Sequence, residues 1–153
     1  METLFNHQPL AAVKAIISQN NAEERRNKAL QIINMFEQRV HENLNVKQEH
    51  RHALIKLYYY LGECEETNGH LTAAINYYEK GRSLADVSYS LQHDNAELYL
   101  HLGNCHLELL DFKHARHEID LYEEHKATAH DRCEEIRKAI ARLEDLYENV
   151  PMD

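Results

Sequence analysis

Twelve histidines and three cysteines in 153 residues are the side chains best able to do chemistry here. His101 and Cys105 stand at i, i+4, and His114 and His117 at i, i+3. Both spacings put two donor atoms on one face of a helix, as a metal site requires. No HExxH and no paired CxxC accompanies them, so the expectation is no metal and no other cofactor. Cys64, Cys105 and Cys133 are odd in number and lack CxxC spacing, which argues against a disulfide framework and for a reduced, cytoplasmic protein. Nothing nearby supplies a cysteine nucleophile with an oriented base and oxyanion donors, and there is no Gly-rich phosphate loop. No catalytic residue is assigned and an enzyme is not expected. Protonating all twelve histidines would move the formal charge from −9 to +3, near the ordinary histidine pKa of about 6.5. Solvated surface histidines are the simpler reading.

The elements that must position these residues are helices. The chain has only 4 Gly and 2 Pro, with Pro9 and Pro151 near its ends, so its interior lacks the residues that break helices. Apolar residues recur at helical spacing almost throughout. The first helix is expected to open at Gln8-Pro9, since Pro suits the first helical position, and to end at Ser18-Gln19-Asn20-Asn21. A second spans about Ala22 to about Asn45, with Ala29, Ile32, Ile33, Phe36 and Val40 as its stripe. The third covers about Gln48 to Thr67, with Leu54, Leu57, Tyr58, Leu61 and Cys64 as its seam, and ends at an Asn68-Gly69 turn. The fourth runs from about Leu71 to Tyr89. Gln92-His93-Asp94-Asn95 then interrupts the chain, with Asp94 or Asn95 available to cap the next helix. The fifth is about Asn95 to Leu110, the sixth about Phe112 to Lys126. The seventh, about Ala129 to Tyr147, presents Ile136, Ile140, Leu143 and Leu146.

The expected class is therefore all-α, about seven helices forming a single domain over 1–153. A net charge of −9 argues against nucleic acid as a partner. No stretch approaches the roughly 18 apolar residues of a membrane span, and the start of the chain does not read as a signal peptide.

One pattern organises the helices further. His52, Leu57, Tyr58, Leu61, Gly62, Cys64 and Ala74 reappear as His93, Leu98, Tyr99, Leu102, Gly103, Cys105 and Ala115, each 41 residues later. Such a period points to stacked units that bury their apolar faces against their neighbours. Tyr58-x-x-Leu61-Gly62, followed by Leu71-x-x-Ala74-x-x-x-Tyr78-x-x-Gly81, resembles the tetratricopeptide repeat (TPR). Tyr99-x-x-Leu102-Gly103, followed by Phe112-x-x-Ala115-x-x-x-Ile119-x-x-Tyr122, resembles it again. A Gly one turn into the first helix and an Ala early in the second let two antiparallel helices approach closely. The period differs from the ~34 of the standard repeat. The seven extra residues are placed at the end of the fourth helix, around Asp86 to Leu91. The closing Pro is absent, and in the N-terminal hairpin only Ala29 and Phe36 fit. The resemblance thus implies a TPR-like α-solenoid: a degenerate hairpin at 8–46, repeats at 48–90 and 94–127, and a C-terminal capping helix at 129–148.

What the resemblance implies about function is peptide binding. In TPR proteins the first helix of each hairpin lines a concave groove, which by position selects Lys56, Tyr59, Tyr60, Glu63 and Glu66, then Glu97, His101, Asn104 and Glu108. Asn104 follows the motif Gly, where an Asn in this family bonds the backbone of an extended peptide; Glu63 holds that place in the first copy. Cys64 and Cys105 fall where the motif has a small packed residue. The lysine clamp for a carboxylate terminus is not matched, since Lys56 stands among acids. The expected partner is a protein segment with basic and apolar side chains, held by an adaptor or chaperone-like module. A peptide-sensing regulatory module and a self-associating structural subunit, hence a homo-oligomer, are the alternatives.

Overall fold

Every regular element of the computed structural model is helical. It describes residues 1–41 and 46–148, without the side chains of Val40 and His41. The expected end of the second helix at about Asn45, and the place of Val40 in its stripe, lie outside the described residues. The helices are α1 (Glu2–His7), α2 (Pro9–Ile17), α3 (Ala22–His41), α4 (Gln48–Thr67), α5 (Leu71–Ala85), α6 (Tyr89–Asp94), α7 (Glu97–Glu108), α8 (Phe112–His125) and α9 (His130–Glu148), with a 3-10 turn at Ala127–Ala129. No strand occurs among the described residues.

Local chemistry explains most boundaries. Pro9 stands in the first turn of α2, and the Asn21 side chain accepts from the Glu24 amide at 3.0 Å to start α3. Between α4 and α5, Gly69 takes φ +78° and the His70 amide donates to the Glu65 carbonyl at 2.8 Å. Between α7 and α8 the same turn recurs 41 residues on. Leu110 takes φ +62° and the Asp111 amide donates to the His106 carbonyl at 2.8 Å. A left-handed backbone suits Gly and strains Leu.

Several expectations are corrected. α1 was not foreseen; it carries the fully buried Phe5 onto Phe36, 4.8 Å between ring centroids. The helix expected to reach Tyr89 stops at Ala85. Ser88 then caps a separate α6 by accepting from the Leu91 amide. The extra residues of the period therefore form a break and a short helix rather than an extension. Neither Asp94 nor Asn95 caps α7. The Asn95 amide is spent on the Leu91 carbonyl (2.8 Å) and His52 Nδ1 (3.0 Å). On α9, Cys133 and Ile140 are buried but Leu146 is 63% exposed. Gly62 lies near the end of α4, not one turn into it.

α4 packs antiparallel on α5, and α7 on α8; α5 also packs on α7, α2 on α4, and α9 on α8. A Cβ on Gly62 would meet the Tyr78 ring, and one on Gly103 would meet Ile119. Those two contacts are again 41 residues apart, so both hairpins share one register. Leu54, Leu57, Leu61, Ala74, Tyr78, Leu98 and Leu102 lie in one apolar core. Tyr99, Ile119, Tyr122 and Cys133 join α7, α8 and α9 in a second. Cys105 is buried in the first core and Cys64 is half-buried; both are free thiols.

Candidate functional site

Helical spacing sets the site before any contact does. Lys56, Tyr59, Glu63 and Glu66 share one face of α4, and Glu97, His101, Asn104 and Glu108 one face of α7. The two faces meet. Tyr59 Oη lies 2.9 Å from His101 Nε2, with the rings edge to face at 5.2 Å between centroids. His101 Nδ1 lies 2.9 Å from Glu66 Oε1, which also accepts from the Tyr78 hydroxyl at 2.7 Å. An ionised carboxylate only accepts, so Nδ1 carries the proton. In the neutral ring Nε2 then accepts from the Tyr59 hydroxyl. The network is a tie between hairpins, running Tyr59, His101, Glu66 and Tyr78.

Its electrostatics do not favour a nucleophile. Burial raises the Tyr59 phenol well above its ordinary range, with help from Glu63, Glu97 and Glu66. Burial raises Tyr78 too, and its hydrogen bond to Glu66 adds to the effect. The Cys105 thiol is pushed up to about 12, chiefly by burial and then by Glu66. A thiol so raised stays protonated at neutral pH, and the thiolate is the reactive form.

Around this tie, Lys56 and Tyr59 line a cleft of about 110 Å³ with Asp94, Asn95, Glu97 and Leu98. Burial lowers the Lys56 pKa, against the pull of Asp94 and Glu97. Loss of surrounding water raises the Glu63 carboxyl; His101 opposes the shift and Glu66 adds to it. Asn104 is half-buried, and its side chain makes no hydrogen bond among the described residues; Glu108 is exposed. Among the described residues, the hydrogen bond that Glu97 accepts is a long one, from the Tyr122 hydroxyl at 3.5 Å.

The structure thus brings Lys56, Tyr59, Glu63, Glu66, Glu97 and His101 together, with Asn104 and Glu108 farther along the same face of α7. Tyr60 is separate. Its hydroxyl accepts from Arg25 Nε at 2.7 Å, and it lines a groove of about 510 Å³ where α3 begins, with Ala22, Cys64, Thr67 and Glu63. The histidine pairings read from spacing come apart. His101 turns to α4 while Cys105 enters the core; His114 turns to Asp111 at 2.8 Å, while His117 lies 3.3 Å from Arg82. Tyr78, which spacing marks only as a packing position, is the hinge of the network; nothing in the sequence signals its hydroxyl's partner.

Compared with protein-family models, curated proteins and solved structures, the chain matches none. No described helix is long and apolar enough to cross a membrane.

Proposed function

We propose that this chain is a non-enzymatic, TPR-like interaction module that binds an extended, basic and apolar segment of a partner protein along the α4–α7 face, as an adaptor or chaperone does. The observation that carries the reading is the balance of that face. Glu63, Glu66, Glu97 and Glu108 stand against a single cation, Lys56, beside an Asn104 amide with no partner among the described residues. Carboxylates so arranged steer a cationic segment, and a free amide can bond its backbone. The groove at Tyr60 offers an apolar side chain a seat next to Glu63. Two hairpins in one 41-residue register, with α5 seated on α7, support the TPR-like stack.

Selection from a displayed random-peptide library tests this. Enriched sequences should carry Lys or Arg among apolar residues. Their binding should weaken at high salt and in the double substitution Asn104→Ala with Glu108→Lys. Enrichment without cationic residues, or equal binding by the double variant, refutes the reading.

A second reading, self-association, has one observation behind it. Leu109, Leu110 and Tyr147 are exposed at one end, where Tyr147 meets Phe112 at 6.5 Å between ring centroids. Sedimentation of the pure protein against its Tyr147→Ser variant decides it, since only this reading expects an oligomer that the substitution dissociates.

A further inference from the structure

The turn between α7 and α8 gathers three side chains with a different chemistry. His106 closes α7, Asp111 caps α8, and His114 lies in the first turn of α8. One nitrogen of each imidazole and one carboxylate oxygen lie within 4.8 Å of one another. Asp111 Oδ2 is 2.8 Å from His114 Nδ1 and 3.7 Å from His106 Nδ1. Asp111 Oδ1 is already engaged, accepting from the His114 amide at 3.3 Å, so Oδ2 is the oxygen that faces both rings. The Asp111 amide is pinned to the His106 carbonyl at 2.8 Å, which holds the two residues at fixed separation.

His106 supplies the second, independent observation. It is 9% exposed, and its Nε2 is buried without a hydrogen-bond partner among the described residues. Among the described residues its Nδ1 comes no nearer to a partner than 3.7 Å from Asp111, too long for a hydrogen bond. The orphaned Nε2 lies nearest Glu79 Oε1, at 4.0 Å, and Nδ1, the nitrogen beside Asp111, is left open to an ion.

The first hairpin shows what is different. At the equivalent turn, 41 residues earlier, Glu65 and His70 occupy the places of His106 and Asp111. There the carboxylate meets His70 at 2.8 Å and the Arg26 guanidinium at 2.6 Å. In the second hairpin no Lys or Arg among the described residues pairs with Asp111. Its carboxylate faces two imidazoles instead.

We infer that His106, Asp111 and His114 form a binding site for a divalent transition-metal ion such as Zn²⁺, with a fourth position open. Two imidazoles and a carboxylate suit that class of ion, whereas Mg²⁺ and Ca²⁺ prefer all-oxygen sets. Tetrahedral zinc places its ligand atoms about 3.3 Å apart, close to the two distances already present. Binding through Nδ1 leaves the His106 Nε2–H facing Glu79 Oε1, now 4.0 Å away, as an outer carboxylate partner. The two rings are stacked at 24° and 5.1 Å, so His114 must turn for one ion to lie in both ring planes. His114 has the freedom to do so, with its side chain 60% exposed.

Calorimetric titration of the tag-free protein with Zn²⁺ in a competing chelator tests the site. Absorption of the Co²⁺ form reports its geometry. One ion per chain is expected, with binding weakened roughly tenfold or more in both His114→Ala and Asp111→Asn. Asn retains the helix cap and His114 is exposed, so both variants should keep the native circular dichroism. His130→Ala, which removes the exposed member of the Glu123-His130-Glu134 cluster, should bind as the parent does. The inference is overturned by the absence of stoichiometric binding, by equal binding in all variants, or by a loss that follows His130 instead of His114.

Discussion

Adding one methyl group to each of two repeat-equivalent glycines should have unequal consequences. A Cβ on Gly62 would stand 2.6 Å from Tyr78 Cδ1, nearer still to Cε1, and 2.8 Å from Cζ. Tyr78 is fully buried, and its hydroxyl is tethered to Glu66 at 2.7 Å, so the whole ring must move and strain that bond. Ala in place of Gly gains about 1 kcal/mol of helix propensity. Overpacking a rigid core costs about 1–3 kcal/mol, and straining the hydrogen bond adds about 1 kcal/mol. Gly62→Ala should thus lower stability by roughly 1–3 kcal/mol. A Cβ on Gly103 would meet Ile119 Cδ1 at 2.7 Å and Cγ1 at 3.0 Å. Ile119 is buried as well, but no hydrogen bond holds its side chain and the nearest atom is its terminal methyl, which can shift by a small torsion change. Gly103→Ala should therefore stay within about 1 kcal/mol of the parent, as the helix gain offsets a small rearrangement. Urea unfolding followed by circular dichroism, with unchanged m, gives the comparison. In a chain of this size each 1 kcal/mol is about 2–4 °C in Tm. If Gly62→Ala is as stable as Gly103→Ala, the account of Tyr78 as a fixed wall is wrong.

Two further outcomes follow from buried strain. Glu118 is fully buried beside Arg82, with Oε2 unpartnered among the described residues. Burial pushes its carboxyl from an ordinary 4.5 up to about 7, against the pull of Arg82. A folded-state value above the unfolded one means stability is lost as pH rises from about 4.5 through about 7. At about 1.4 kcal/mol per pH unit the ceiling is roughly 3 kcal/mol. Glu118→Gln should remove that slope, so the stability difference between variant and parent should grow between pH 5 and 8; a constant difference refutes it. Leu110→Gly should stabilise by up to about 1 kcal/mol by relieving the left-handed φ, and Gly69→Ala should destabilise by about 1 kcal/mol or more. Chemical denaturation of the pair checks both signs, and a destabilising Leu110→Gly would mean that its packing outweighs its strain.

What the sequence determined by itself is whatever depends on neighbours along the chain. Pro9, Gly69 and the apolar spacing placed α2, α4, α5, α7, α8 and α9 within a few residues, apart from the end of α5. Each of those signals acts over one or two turns of backbone. The same locality explains why Lys56, Tyr59, Glu63 and Glu66 could be assigned to one face of α4. The 41-residue recurrence predicted matching hairpins, and the Gly62–Tyr78 and Gly103–Ile119 contacts follow it. Tertiary structure alone decided where polar side chains find partners, because that depends on which helices touch. Tyr60 differs from Tyr59 by one position, yet the 100° between them turns it from α7 to Arg25 of α3. Asn95 reads as a cap but is captured by Leu91 and His52. The extra residues of the period became a break and α6, whose start the Ser88 hydroxyl caps. Spacing pairs His114 with His117, but the turn at Leu110 delivers it to Asp111 and His106. Periodicity reports which side of a helix faces inward; the partner met there is set by a second helix far away in the chain.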